Sequence, residues 1–234
     1  MKTAIIACKT LEDEINLAVS KTKTNHKIYW IDSGLHNYPD RLRQNLQECI
    51  DKIGVYNYIV LLFGLCGNSL LHLSSKHAKL VIPKVDDCIS MFLGGNRERR
   101  NIEENTRAYY LTKGWLRYEN NIWHEYLQCI EKYGLEKTRK IFGIMLKHYT
   151  HLIVIDTGAF DSAEFIEETK KIAVELNLEH KVIKGDLSIL DRALTNEWQK
   201  DFVVIKPGEK ITLNDMGTCG EFISQDQIFG ISSA

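Results

Sequence analysis

The sequence is set apart first by the motifs it lacks. It has no G-x-x-x-x-G-K-[ST] phosphate loop, no G-x-G-x-x-G fingerprint, no H-E-x-x-H helix and no G-x-S-x-G nucleophile elbow. None of its six cysteines form a C-x-x-C pair, which excludes the common zinc-ribbon and thioredoxin patterns. Any metal site must therefore be assembled from distant single ligands. A formal net charge of -1 leaves no electrostatic footprint for nucleic acid or for an anionic membrane, so neither partner is expected. No apolar run approaches the roughly 20 residues that span a bilayer. The opening M-K-T-A-I-I-A-C-K-T-L-E-D-E turns acidic too early for a secretory signal. A cytoplasmic location is expected, with the cysteines acting as thiols, ligands or catalysts rather than as a disulfide framework.

The 234 residues suffice for one large domain or two smaller lobes with a full core. Apolar content of 44% and charged content of 26% are ordinary for a globular chain. Short apolar runs predict strands at Thr3–Ala7, Lys27–Ile31, Tyr58–Phe63, Leu80–Val85, Ala108–Thr112, His151–Ile155, Lys181–Lys184 and Phe202–Ile205. The run Tyr58–Phe63 is continuously apolar, as in a sheet covered on both faces. Helical spacing follows most of these strands. Thr10 with Asp13 forms an approximate capping box before Leu11, Ile15, Ala18 and Val19. Pro39 suits a first helical turn before Leu42, Leu46, Cys49 and Ile50. A short helix is expected through Leu73, another over Ile89–Leu93, and a helical hairpin broken near Gly134. Strands alternating with helices predict an α/β fold, Rossmann-like or flavodoxin-like, with a mainly parallel sheet and helices on both faces. A division near residue 150 would give one α/β lobe over 1–150 and a second part over 151–234, with the hairpin between two lobes.

In such sheets, ligands bind outside the carboxyl ends of the strands. The small and polar residues of this chain fall at those ends. Cys8 and Cys66 both occupy strand-to-helix turns, where a helix N-terminus favours the thiolate, the form that acts as nucleophile and metal ligand. Gly64 and Gly67 let the chain around Cys66 turn tightly and approach a ligand closely. Cys88 follows Asp86 and Asp87. Two carboxylates raise a thiol's pKa, which prepares a free nucleophile badly but suits a site that holds a cation. Cys8, Cys66 and Cys88 are thus the candidate metal ligands. One of Asp86 and Asp87 is expected to cap the helix, leaving the other to face the site. His36 and Asp87 are the candidate acid–base groups. Gly64, Gly67, Asn68, Thr112, Trp115, Asp156 and Asp186 are the candidate substrate contacts. For each of these residues a purely structural role competes: buried thiol, helix cap or core aromatic. Cys49 and Cys129 lie in apolar helical stripes and read as core. Cys219, in T-C-G-E, is either a loop thiol or a fourth ligand.

Taken together, several stretches resemble the family known as domain of unknown function 1638 (DUF1638). They are A-C-K-T-L-E-D-E-I (Ala7–Ile15), W-I-D-S-G-L-H-N-Y-P (Trp30–Pro39), G-L-C-G-N-S-L (Gly64–Leu70), I-P-K-V-D-D-C-I-S-M-F-L-G (Ile82–Gly94), Y-Y-L-T-K-G-W (Tyr109–Trp115) and G-D-L-S-I-L-D-R-A-L (Gly185–Leu194). The resemblance implies a source among anaerobic bacteria or methanogenic archaea, and an association with corrinoid-dependent methyl-transfer systems.

Three functions follow as expectations. The first is an enzyme or carrier of anaerobic one-carbon metabolism that binds zinc or an iron–sulfur cluster through three thiolates. An open fourth position would serve a small-molecule ligand, and any corrinoid would be a partner's cofactor. The second is a metal-free enzyme that moves a proton with a cysteine pair, as racemases do. The third is a non-catalytic ligand-binding protein or a partner of a corrinoid protein or methyltransferase. A homo-oligomer is compatible with each.

Overall fold

The computed structural model describes residues 2–104, 106–118, 121–199 and 201–216. Cys219 lies outside the described residues. All eight expected strands form, with ends shifted by at most two residues: β1 (Thr3–Cys8), β2 (Lys27–Ile31), β3 (Tyr58–Leu62), β4 (Lys79–Pro83), β5 (Ala108–Leu111), β6 (His151–Asp156), β7 (Glu179–Lys184) and β8 (Phe202–Ile205). The helices are α1 (Glu12–Thr22), α2 (Pro39–Lys52), α3 (Cys88–Phe92), α4 (Asn96–Glu103), α5 (Lys113–Arg117), α6 (Ile122–Tyr133), α7 (Leu135–Met145), α8 (Ser162–Leu176) and α9 (Ser188–Thr195). Among the described residues, no helix is long and apolar enough to cross a membrane.

The strands form two sheets. The first has the order β2-β1-β3-β4-β8, parallel except for β8, which runs antiparallel along β4. The second has the order β5-β6-β7 and is parallel throughout. The α/β architecture with a mainly parallel sheet is therefore the one the alternating pattern predicts. In the first sheet the strand order reverses between β1 and β3, the place where such folds open a crevice.

The sheets are not separately cored. Along β6, Ile153 and Ile155 face a cluster shared with β1, β3 and β4, while Leu152 and Val154 face a second cluster with α6, α7 and α8. This is the period-2 alternation of a strand buried on both faces. The chain crosses the expected division near residue 150 in both directions. β5 leaves the first lobe to pair with β6, and β8 returns to pair with β4. The α6–α7 hairpin, jointed at Gly134 with φ +78°, is the connection from β5 to β6. Its Tyr126 and Phe142 pack into the second cluster.

Two local expectations are corrected. Residues 66–72 form a series of turns and not a short helix. Cys66, Gly67 and Asn68 hold φ of +42°, +63° and +66°, and three left-handed residues in a row cannot continue a right-handed helix. Thr10 does not cap α1. It lies in a 3-10 turn over Lys9–Leu11, and α1 starts at Glu12 without a side-chain cap.

Candidate functional site

Strand order decides which turns meet. Cys8 ends β1, Cys66 follows β3, and Cys88 opens α3 after β4. Because β1, β3 and β4 are consecutive neighbours, the three thiols converge at the carboxyl edge beside the reversal point. Cys66 lies close enough to Cys88 to raise its thiol pKa, and Cys88 close enough to Cys8 to do the same there. The Cys8 sulfur lies 3.0 Å from Thr10 Oγ1. All three are free thiols.

The turns are locked to one another by backbone. A Cβ on Gly64 would lie 2.2 Å from Asp87 Cα, so only glycine allows the β3 turn to press on the β4 turn. The Leu65 amide donates to the Asp86 carbonyl at 3.0 Å across the same junction. Cys66 is held in the left-handed region, where a side chain with a Cβ is strained.

The charges around the thiols are mostly negative. Burial pushes the Cys8 thiol up to about 11, with Cys88 and Asp32 adding to the rise, while hydrogen bonds with Thr10 oppose it. The neighbouring Cys66 and burial hold the Cys88 thiol well above its ordinary range. Asp87 adds to this, and a backbone hydrogen bond from Gly64 opposes it. The neighbours that act on these two thiols are therefore other thiols, carboxylates and neutral hydrogen-bond donors. The nearby guanidinium of Arg99 is paired with Asp87 and Glu103. Among the described residues, no three Cys, His, Asp or Glu side chains already stand at metal-ligand spacing. The cluster is thus two neighbouring thiols, Cys66 and Cys88, with Cys8 beside them.

The other candidates lie around this centre in different states. Asp87 accepts from the Ser90 amide at 2.9 Å as the cap of α3 and pairs with Arg99. Asp86 accepts from Asn96 Nδ2 at 3.2 Å, so both carboxylates are engaged. His36 is exposed on a 3-10 turn over Leu35–Asn37. Gly67 packs on the Pro39 ring, and the Asn68 carbonyl accepts from Arg43 at 3.1 Å.

The second sheet presents its own carboxyl edge to the first. Thr112 precedes α5 and is fully buried, with Oγ1 unpartnered. Trp115 packs at 5.7 Å against Phe92 of α3, with the rings tilted by 47°. Asp156 accepts from the Gly158 amide at 3.1 Å, and Asp186 from the Ser188 amide at 2.8 Å. The Asp186 amide donates to the Phe92 carbonyl at 2.8 Å, which ties the end of β7 to α3. The two carboxyl edges therefore press directly on each other, with the thiols beside the contact. One buried acid in this interface, Glu14, escaped the sequence analysis. It is fully buried on α1 and accepts from Thr157 Oγ1 at 3.0 Å.

Against known families, residues 30–194 match DUF1638, described as a protein of unknown function. The chain belongs to this family. The match includes the turns of Cys66 and Cys88 and the carboxyl edge of the second sheet, and it begins after Cys8 and Glu14. No curated protein and no solved structure matches the chain. DUF1638 membership carries no activity, so function has to be argued from the site.

Proposed function

We propose that this DUF1638 protein binds a thiophilic metal ion or an iron–sulfur cluster through Cys8, Cys66 and Cys88. It would then act as an enzyme or carrier on a small molecule held between the two edges. The observation that carries this reading is the placement of three thiols on neighbouring strand ends beside carboxylates, with the guanidinium of Arg99 already paired; metal binding would draw the three sulfurs closer than they now stand. A catalytic thiolate needs an adjacent cation or base. Here burial, carboxylates and like groups all disfavour the thiolate. A soft cation reverses that balance by binding the deprotonated sulfurs. Binding would exchange the Cys8–Thr10 hydrogen bond for a metal–sulfur bond and release the thiol protons. A metal held by three thiolates offers a Lewis-acid position to a ligand. Thr112, Trp115, Asp156 and Asp186 on the facing edge would bind and orient that ligand. The link to anaerobic one-carbon metabolism and to a corrinoid or methyltransferase partner rests on the family resemblance alone.

The test is metal and sulfide analysis, with an absorption spectrum, on protein purified without oxygen. Zinc near one per chain, or iron with sulfide, lost in Cys66→Ala or Cys88→Ala, is the expected result. Colourless, metal-free protein overturns it. The proximity of Cys66 and Cys88 favours one second reading, a metal-free enzyme that shuttles a proton with this cysteine pair. Full turnover in the single Cys→Ser variants would remove that reading.

A further inference from the structure

The first turn of α1 reads Glu12-Asp13-Glu14, and all three carboxylates reach the second sheet's side of the contact. Tyr118 Oη donates to Glu12 at 3.3 Å, Arg117 pairs with Asp13 at 2.6 Å, and Thr157 Oγ1 donates to Glu14 Oε1 at 3.0 Å. Glu12 and Asp13 are partly exposed and make ordinary surface contacts. Glu14 differs. It is 0% exposed, and its second oxygen, Oε2, is buried without a partner. Burial pushes this carboxyl up to about 7. A backbone hydrogen bond at Glu14 itself, the Thr157 hydrogen bond and Arg117, from the end of α5, oppose the rise, while Asp13 on the same helix adds to it. Asp156, next to Thr157, turns its carboxylate onto the Gly158 amide. Oε2 lacks a partner in either protonation state, and the closed contact tolerates a neutral acid better than a buried charge. An ionised carboxylate there would hold one bare oxygen away from water, which is costly unless the contact opens.

The contact lies next to the thiols. Thr10, four residues before Glu14, holds the Cys8 sulfur, and a Cβ on Gly114 of α5 would lie 2.0 Å from the Thr10 carbonyl oxygen. Separating the second sheet's edge from α1 would therefore uncover the Cys8 turn.

We infer that Glu14 is a proton-operated clasp between the two carboxyl edges. Protonated, it closes the contact beside the thiol cluster. Ionised, it releases the contact with Thr157 and admits solvent and ligand, its proton passing to water. The closed form holds the proton more tightly than the open form, so acid closes the contact and alkali opens it. The clasp requires only the Glu14–Thr157 geometry, whatever the thiols hold.

Hydrogen–deuterium exchange on the full chain tests it, comparing the wild type with Glu14→Gln at matched pH. At pH 8, residues 9–14, 112–118 and 155–158 should exchange about fivefold faster in the wild type, because glutamine stays neutral and keeps the contact shut. At pH 5.5 the two proteins should exchange alike. Equal exchange at pH 8, or a difference that persists undiminished at pH 5.5, overturns the clasp. Thr157→Val removes the donor and keeps the acid, and it should speed exchange of the same segments even at pH 5.5. No increase there overturns the clasp if Glu14→Gln does not fold. Because amide exchange is read without reference to metal content, failure of the clasp and failure of the metal site are told apart.

Discussion

At the scale of single residues, burial separates Glu14 from Glu12 and Asp13 in the acidic first turn of α1. Glu14 sits in an acidic first turn, where carboxylates ordinarily face water and complement the helix dipole. Only tertiary packing distinguishes it from Glu12 and Asp13. Its burial has a thermodynamic consequence with a definite sign. The folded carboxyl titrates near 7, against an ordinary value of 4.5, so the folded state binds the extra proton between those limits. Stability is undiminished below about pH 4.5, falls as pH rises through about 7, and levels off above that at a loss of about 3 kcal/mol. Urea unfolding across this range should show that loss in the wild type and a nearly flat profile in Glu14→Gln. A flat wild-type profile would mean that Glu14 is solvated in the folded protein. Cys8, Cys66 and Cys88 each follow an apolar run, so their placement at strand ends could be read from local sequence, whereas the burial of Glu14 could not.

At the scale of elements, the strands were legible because their apolar runs are long enough to outweigh everything nearby. The turn after β3 was not. G-L-C-G-N-S-L-L has a helical look, but Cys66 and Asn68 are left-handed, in a turn that follows the tight contact of Gly64 with the β4 turn. That constraint lies more than 20 residues away in sequence. Asp87 shows the converse, because its role as a cap was readable and its partner Arg99 was not. Asp87→Ala should destabilise the protein by about 2 kcal/mol, through loss of the α3 cap and of one of the two carboxylates on a partly buried guanidinium. Asp87→Asn keeps a good capping side chain and should recover about half of that. Thermal unfolding of the two variants separates cap from ion pair. Equal losses would place the whole effect in the pair.

At the scale of the molecule, the order of strands is what converts scattered cysteines into a site, and no local pattern encodes it. The same is true of the interface between the sheets. A division at residue 150 looks natural along the chain, yet β5 and β8 each pair across it, and Ile153 and Ile155 share a core with the first sheet. The two carboxyl edges therefore close on each other as one body, and glycine marks where they touch. Gly114→Ala would place a methyl group 2.0 Å from the Thr10 carbonyl oxygen, an overlap with backbone that no rotamer relieves. The expected loss is about 3 kcal/mol, against the gain of about 1 kcal/mol that alanine normally brings to a helix. Gly143 in α7 supplies the control, since it is exposed and a methyl group added there would meet nothing within 4 Å. Gly143→Ala should raise stability by about 1 kcal/mol. If urea midpoints moved upward for both variants, the edges would not be in contact in solution, and the thiols would lie in an open groove instead of beside a closed contact.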